Sequence, residues 1–415
     1  MELIVDLHIH SHYSRATSRQ MNCEDLYKWG KIKGINIIGT GDFTHPAYFA
    51  ELREKLEPAE AGLFTLKTEY ASKIDVTLPE SIKHNLIRFV LSVEISNIYS
   101  KRGKVRKVHN VIIVPDFETA AEINNQLSKI GNLKADGRPI LGMDSMRLLE
   151  MTINSHPDSL FIPAHIWTPW FSMFGSKSGF DTIEEAFEEL AEKIVAIETG
   201  LSSDPYMNWR IRELQERTIV SNSDAHSPQK LGREATVINS KLEYKDILGA
   251  IKTNDQRLVG TIEFYPEEGK YHNDGHRICN ISFTPEESLQ HAGICPVCKK
   301  PLVIGVQNRV NTISNFPVDY RYKTSKKVEY IIPLCEMIAE IKKVKSSNTG
   351  GVVKEYERLY SKFGDEFSML RKIDISEFKN SGFEIIGEGI HRMRKGEVSV
   401  KAGYDGVFGV IKVFR

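Results

Sequence analysis

As a pattern of apolar and polar positions, the chain up to about residue 262 alternates between short β-rich runs and segments of helical period. Runs at 3–9, 35–40, 86–95, 108–114, 160–166, 194–199, 218–222 and 235–238 predict strands, and 24–33, 118–130, 141–152, 182–193 and 208–216 carry helical spacing. Strands alternating with helices predict a parallel sheet, and seven or eight of them favour closure into a β/α barrel. Residues 53–82 break the rhythm and read as an irregular insertion.

From 263 the composition turns to Gly, Pro, His and Cys with little periodicity, and helical spacing returns at 333–346 and 353–372. The final GYDGVFGVIKVF, residues 403–414, reads as a β-hairpin. The expected organisation is α/β: a distorted barrel over 1–262, a small zinc-binding ribbon over 263–310, and a mainly helical, basic C-terminal domain over 311–415. A chain of 415 residues is long enough for two or three such units.

Charge sharpens this division. The whole chain is neutral, with 55 Lys+Arg against 55 Asp+Glu, but residues 299–415 hold 22 Lys+Arg against 14 Asp+Glu. The tail is therefore +8 and the first 298 residues −8, which fits an acidic catalytic part joined to a part that holds a polyanion. A solvated charged surface explains the same numbers. No apolar run approaches 18 residues and no signal-peptide pattern opens the chain, so the expectation is a cytoplasmic, nucleoid-associated protein without a membrane partner. Three of five cysteines crowd into one segment, which reads as metal binding rather than a disulfide framework.

The chemistry sits at the strand ends. DLHIHSHYS ends the first strand with His8 and His10, and GTGDFTH ends the second with Asp42 and His45 behind it. Later strands bring Glu94, His109, His165, Glu198, Asp224 and His226. Alternate strand residues share a face, so His8 with His10, and Asp224 with His226, can grip one ion. Barrel strand ends converge on one mouth. Each motif has a plainer alternative: Asp42 could shape a turn, Glu198 could be an ion pair, and Asp224 could cap a helix. Five or six such strand ends together predict a multinuclear site, where imidazoles mixed with carboxylates suit divalent zinc, manganese or iron and an all-oxygen set would suit magnesium. His12 reads as a neighbour of the site.

Residues 276–298 add His276-x2-Cys279, then, after 15 residues, Cys295-x2-Cys298, the spacing of one structural tetrahedral zinc. His272 and Asp274 are alternatives for the fourth ligand. The loop SKRGKVRKVHN places Lys101, Arg102, Lys104, Arg106 and Lys107 just before His109, as positive charge for a phosphate backbone. Trp167, Trp170 and Phe171, following His165, could stack on a base or pack the barrel rim.

The set DLHIHSHYS, GTGDFTH, SVEIS, VHNVIIVP, PAHIW and SNSDAH resembles the motifs of the PHP-domain phosphoesterases over residues 1–262. That resemblance implies a distorted seven-stranded β/α barrel with up to three ions on His8, His10, Asp42, Glu94, His109, His165, Asp224 and His226. Two positions depart from it. Arg15 stands where relatives often supply an aspartate and could instead face DNA, and GDF replaces TDH, leaving His45 as a substitute ligand or a substrate contact. GTGD, PAHIW, ETGLSSDP, SNSDAH, YHNDGHRIC and CPVC further resemble the endonuclease Q branch of that family. This implies nicking of DNA 5′ to deaminated bases (uracil, hypoxanthine, xanthine) and abasic sites, on double- or single-stranded substrates, leaving 3′-hydroxyl and 5′-phosphate ends. Archaeal relatives in that branch use a sliding clamp, but the terminal GVIKVFR holds no clear clamp-binding box.

Clustered divalent ions activate water and polarise a phosphoryl oxygen, so phosphoester hydrolysis is the expected reaction. Asp224, His226 and His45 are the expected catalytic side chains, with a rim histidine protonating the leaving oxygen. Two alternatives stand beside a lesion endonuclease: a phosphatase of small monoesters, and a zinc-dependent DNA-binding module with a vestigial barrel.

Overall fold

A computed structural model describes residues 1–414. In chain order its strands are β1 (Glu2–Asp6), β2 (Ile37–Gly39), β3 (Leu56–Pro58), β4 (Phe64–Leu66), β5 (Arg88–Lys101), β6 (Lys104–Val114), β7 (Ile140–Leu141), β8 (Leu160–Pro163), β9 (Ala196–Glu198), β10 (Thr218–Val220), β11 (Ala235–Asn239), β12 (Leu258–Glu263), β13 (Asp274–His276), β14 (Ile281–Phe283), β15 (Lys327–Tyr330), β16 (Ser399–Lys401) and β17 (Val410–Lys412). All eight runs read as strands are strands. The main sheet runs β15-β12-β11-β1-β2-β5-β4-β3, with β6 bridging β5 to β8 and β7 added to β5.

The sheet is mixed rather than parallel. β1, β2 and β5 are parallel, whereas β1–β11–β12 and β5–β6–β8 are antiparallel. β5 and β6 form one long hairpin closed by Arg102 and Gly103, both at positive φ (52° and 72°), the two-residue turn that matches strand twist. The polar ends of this hairpin read as a loop in the sequence because nothing apolar marks them. Ladders do not run all the way round the sheet. β9 and β10 pair only with each other, the end of β8 meets β9 through Ile166 N–H to Glu198 O (3.2 Å), and Ser221 bonds Thr236 across β10 and β11.

Alternate strand residues divide two cores. Leu3 and Val5 pack with Ile37, Val90, Val111, Ile162 and Ile238, while Ile4 packs with Ile38, Phe89, Leu91 and Ile112 on the opposite face. With both faces covered, these strands read as continuous apolar runs. Residues 53–82 are ordered, correcting the irregular insertion: they hold β3, β4 and the helix Thr68–Asp75, with Phe64 joining the sheet opposite Phe89.

The C-terminal region is mainly helical and shares the larger core. β15 pairs in parallel with β12, so the sheet crosses the boundary expected at 262. The helix Cys23–Lys33 receives Gly350–Phe363 and Glu366–Arg371: the buried Lys33 Nζ lies 2.6 Å from Glu366 Oε2, and Trp29 stacks on Tyr356. The end of the chain forms the expected hairpin, but its first strand is β16, preceding the glycines.

Glu234, just before β11, and Glu263, at the end of β12, are fully buried side by side. Burial first, then their mutual repulsion for Glu234, raises both well above the ordinary carboxylate range, and Ser221 Oγ–H donates to Glu263 at 3.3 Å. The folded state thus holds protons that the unfolded chain releases near pH 4.5, and stability declines as pH rises above that value. Glu263→Gln should leave Tm near wild type at pH 5 and raise it by a few degrees at pH 8, measured by scanning calorimetry. A gain that does not grow between these pH values would contradict the assignment.

Candidate metal centre and nucleic-acid face

The segment after β1 continues alongside residues 223–225: Asp224 N–H donates to His8 O (2.8 Å), His10 N–H to Ala225 O (3.0 Å), and Ile9 bridges Ala225. This register brings His8, His10 and Asp224 together. The β5–β6 hairpin supplies Glu94 and His109 two residues apart in its ladder, with Ser96 opposite His109. His165 follows β8, its N–H bonded to Glu198 Oε2 at 2.9 Å.

Glu94 is the hinge of the site. Its Oε2 lies 3.2 Å from His10 Nε2 and 3.6 Å from His8 Nε2, and its Oε1 lies 2.7 Å from His109 Nδ1 and 3.0 Å from His165 Nε2. Asp224 Oδ1 completes the first group, 3.0 Å from His10 Nε2 and 3.7 Å from His8 Nε2. Two ligand groups thus share one carboxylate: His8, His10, Glu94 and Asp224, and Glu94, His109 and His165. His8 Nε2, His10 Nε2 and Asp224 Oδ1 are buried without a hydrogen-bond partner, a condition that divalent ions would relieve, so the donor set fits such ions.

Asp42, His165 and Asp224 all have positive φ, 46°, 30° and 46°. Non-glycine residues rarely adopt this conformation, and the surrounding bonds hold it at the strand ends. Burial pulls His8 and His10 toward the neutral form, but Glu198 and Glu94 for His8, and Asp224, Asp42 and Glu94 for His10, raise both well above the ordinary range. Burial likewise works against Glu94, yet His109, Arg138 and His8 hold it well below the usual carboxylate range. His109 is lowered to about 4, chiefly by burial.

Two expected ligands take a different place. Asp42 Oδ2 accepts from Ser11 N–H (2.7 Å), Ser11 Oγ–H (2.6 Å) and Ser14 Oγ–H (2.8 Å), and Oδ1 faces His10 Nδ1 at 3.3 Å. Glu198 faces His8 Nδ1 at 3.0 Å and accepts from Asn222 Nδ2–H at 2.8 Å. Both carboxylates are thus engaged behind the rings and orient the two histidines. His226 also lies outside both groups. Its Nδ1–H donates to Asp224 O (2.9 Å) and its ring lies 4.4 Å from His10, at the rim. His45 precedes the helix Pro46–Lys55, stacks on Tyr13 at 4.2 Å and lies outside both groups. His12, 3.7 Å from Glu51, is a neighbour only. Sequence reasoning missed Arg138, whose Nη1 donates to Glu94 Oε2 at 3.0 Å; GRPIL carries no motif that would mark it.

At the ribbon, His276, Cys279, Cys295 and Cys298 converge, while His272 lies elsewhere and Asp274 is used by Gly305 N–H (2.6 Å). Asn280 and Lys299, each just after a cysteine, adopt positive φ and turn the two knuckles. Burial raises the Cys295 thiol, but the N–H groups of Cys298 and Val297 hold it below its ordinary value.

The expected nucleic-acid residues divide. Trp167 is fully buried, its Nε1–H donated to Asn208 Oδ1 at 2.8 Å, so rim stacking is corrected to core packing. Phe171 packs 4.9 Å from His109 with Lys107 Nζ over its ring, and Trp170 stays partly exposed beside Tyr271. The hairpin carries Lys104 about 17 Å along β6 from His109. Lys101 is held by Ala186 O, Asp144 and Glu188, Arg102 by Glu185, and the buried Arg106 by Gly179 O over Phe180. Lys104 and Arg15 are exposed, Arg15 lying 3.3 Å from Asp136.

A family model, the MJ0043 C-terminal domain, matches residues 333–397. The chain is 31% identical over 253 residues, 59% of its length, to the uncharacterized protein MJ0043 of Methanocaldococcus jannaschii, and covers only 31% of that relative. The lesion-specific endonuclease PfuEndoQ from Pyrococcus furiosus superposes with a TM-score of 0.84 at 28% identity, over 99% of this chain and 95% of that one. The chain has the endonuclease Q fold. A second endonuclease Q structure, holding a 27-mer duplex substrate with an abasic lesion at its active site, matches at TM-score 0.84 and 27% identity, over 99% of this chain and 96% of that one. Among the described residues, no helix is long and apolar enough to cross a membrane.

Elemental analysis tests both centres. Glu94→Gln should cost at least one bound divalent ion per chain while the ribbon zinc stays, and Cys295→Ser should lose the ribbon zinc alone. Unchanged metal content in Glu94→Gln would refute the shared carboxylate.

Proposed function

We propose that this chain is a DNA-repair endonuclease that hydrolyses the phosphodiester 5′ to deaminated bases and abasic sites. One observation carries the reading: Glu94 is shared by two ligand groups, on a scaffold matching an endonuclease Q that holds a lesion-bearing duplex. Ions seated there supply water activation and polarisation of a phosphoryl oxygen. The chain's own residues do the rest. Asp42 and Glu198 keep the His10 and His8 rings in place, so the pair is preorganised before substrate arrives.

His226 handles the proton. With Nδ1–H given to the Asp224 carbonyl, neutral His226 keeps a lone pair on Nε2 at the rim, able to take a proton and return it to the leaving 3′-oxygen. Phe171, packed on His109, and the partly exposed Trp170 offer apolar surface beside the site for an extruded base. The ribbon zinc holds a segment too small to fold on its own core, next to the basic tail that takes the duplex. The products are a 3′-hydroxyl and a 5′-phosphate.

End-labelled duplexes with uracil, hypoxanthine, an abasic site or no lesion test this directly, with a phosphomonoester as control. Lesion-dependent nicks on the 5′ side are expected, and Asp224→Asn should abolish them while DNA affinity stays within about threefold by anisotropy. Monoester turnover without nicking would replace the reading with the phosphatase alternative.

A further inference from the structure

Arg138 is delivered to Glu94 by a loop docked on both sides. Its N-terminal end is bound at Asp136, whose Oδ1 accepts from Arg138 N–H (3.2 Å) and Arg15 N–H (3.3 Å), and Gly137 N–H donates to Tyr13 O at 3.0 Å. Its C-terminal end joins the sheet: Ser96 N–H donates to Pro139 O (3.0 Å) and β7 pairs with β5 two residues beyond Glu94. Gly137 lies so close to the ring-orienting carboxylate that a Cβ there would stand 2.2 Å from Asp42 Oδ2 and 2.5 Å from Ser14 Oγ. The loop can approach this closely only with glycine, and the result is a guanidinium on the bridging carboxylate.

The oxygen it touches is contested. Arg138 Nη1 donates to Glu94 Oε2, the same atom that faces His8 and His10 and would bind an ion in the first group. Among the described residues, no other Arg or Lys forms an ion pair with Glu94, Asp224, Asp42 or Glu198; Arg233 reaches only the carbonyls of Ser223 and Asp224. A dication and a guanidinium compete for one oxygen, and Arg138 retains 28% side-chain exposure at the mouth. Its planar fork has further N–H donors suited to two oxygens of one phosphate.

We propose that Arg138 serves twice: its Nη1 neutralises Glu94, and its remaining N–H donors reach a non-bridging oxygen of the scissile phosphate. There it stabilises the charge that grows on those oxygens as phosphorus is attacked. This rests on the proposed phosphodiester hydrolysis but adds to it a phosphate-binding residue.

Two readouts on Arg138→Gln and Arg138→Lys test it. For metal-stripped protein titrated with Mn2+ by electron paramagnetic resonance, Arg138→Gln should bind the ion more tightly, by about threefold to tenfold, because a competitor is gone. At saturating Mn2+ its kcat on an abasic duplex should fall on the order of 10²–10³-fold with KM nearly unchanged, and Arg138→Lys, which keeps charge without the fork, should fall less. A residue that merely supported Glu94 would show the reverse: Mn2+ affinity weaker by roughly 10–100-fold and turnover recovering at high metal. That result, in whichever variant folds with wild-type Tm, would overturn the proposal. If wild-type protein does not nick damaged duplexes, the DNA reading fails. Bis(p-nitrophenyl) phosphate then replaces the duplex, and equal kcat in wild type and Arg138→Gln would overturn the role of Arg138 separately.

Discussion

A carboxylate buried among other ionisable groups must be matched by opposite charge, because taking an ion out of water costs several kcal/mol. Glu94 is that group, fully enclosed: His8, His10 and Arg138 bring positive charge to one oxygen, and His165, beside a neutral His109, faces the other. Much of the architecture serves to deliver these partners. The β5–β6 hairpin brings Glu94 and His109 on adjacent strands, the continuation of β1 alongside 223–225 brings His8, His10 and Asp224, and a strained backbone after β8 brings His165. Asp42 and Glu198 fix the rings that face Glu94, and are themselves held by Ser11, Ser14 and Asn222.

The two candidate metal centres are built differently. In the ribbon, three sulfurs and one imidazole converge and the knuckle backbone caps them, as suits a closed structural site. In the candidate centre around Glu94, His8 Nε2, His10 Nε2 and Asp224 Oδ1 are left without hydrogen-bond partners at a mouth bordered by His226 and Arg138, a more open arrangement than the ribbon's. The C-terminal helices are part of the same body. Lys33–Glu366, Trp29–Tyr356 and the β12–β15 pairing bind them to the sheet that carries the centre.

The strands and the metal-ligand character of the strand ends were legible because alternation and H-x-H spacing are local signals. The roles within the set were not. Asp42 and Glu198 are the same residue types as Asp224 and Glu94, and only the partners around each oxygen show that the first two face the Nδ1 side of His10 and His8. Trp167 and Phe171 lie four residues apart in one aromatic stretch, yet one is sealed against Asn208 and the other packs on His109. The basic run 101–107 reads as a loop, yet it spans the turn of a long antiparallel hairpin, which keeps Lys107 beside Phe171 and sets Lys104 several residues further along β6. Arg138 was invisible because its position depends on β7 pairing with β5 and on a glycine approach to Asp42, contacts between residues roughly 40 to 95 apart.

Anomalous scattering from crystals soaked in Mn2+ would show whether one carboxylate, Glu94, serves two ion sites. Two peaks about 3.5–4 Å apart are expected, one beside His8, His10 and Asp224 and the other beside His109 and His165, both in contact with Glu94. A single peak, or two peaks of which one does not touch Glu94, would contradict it.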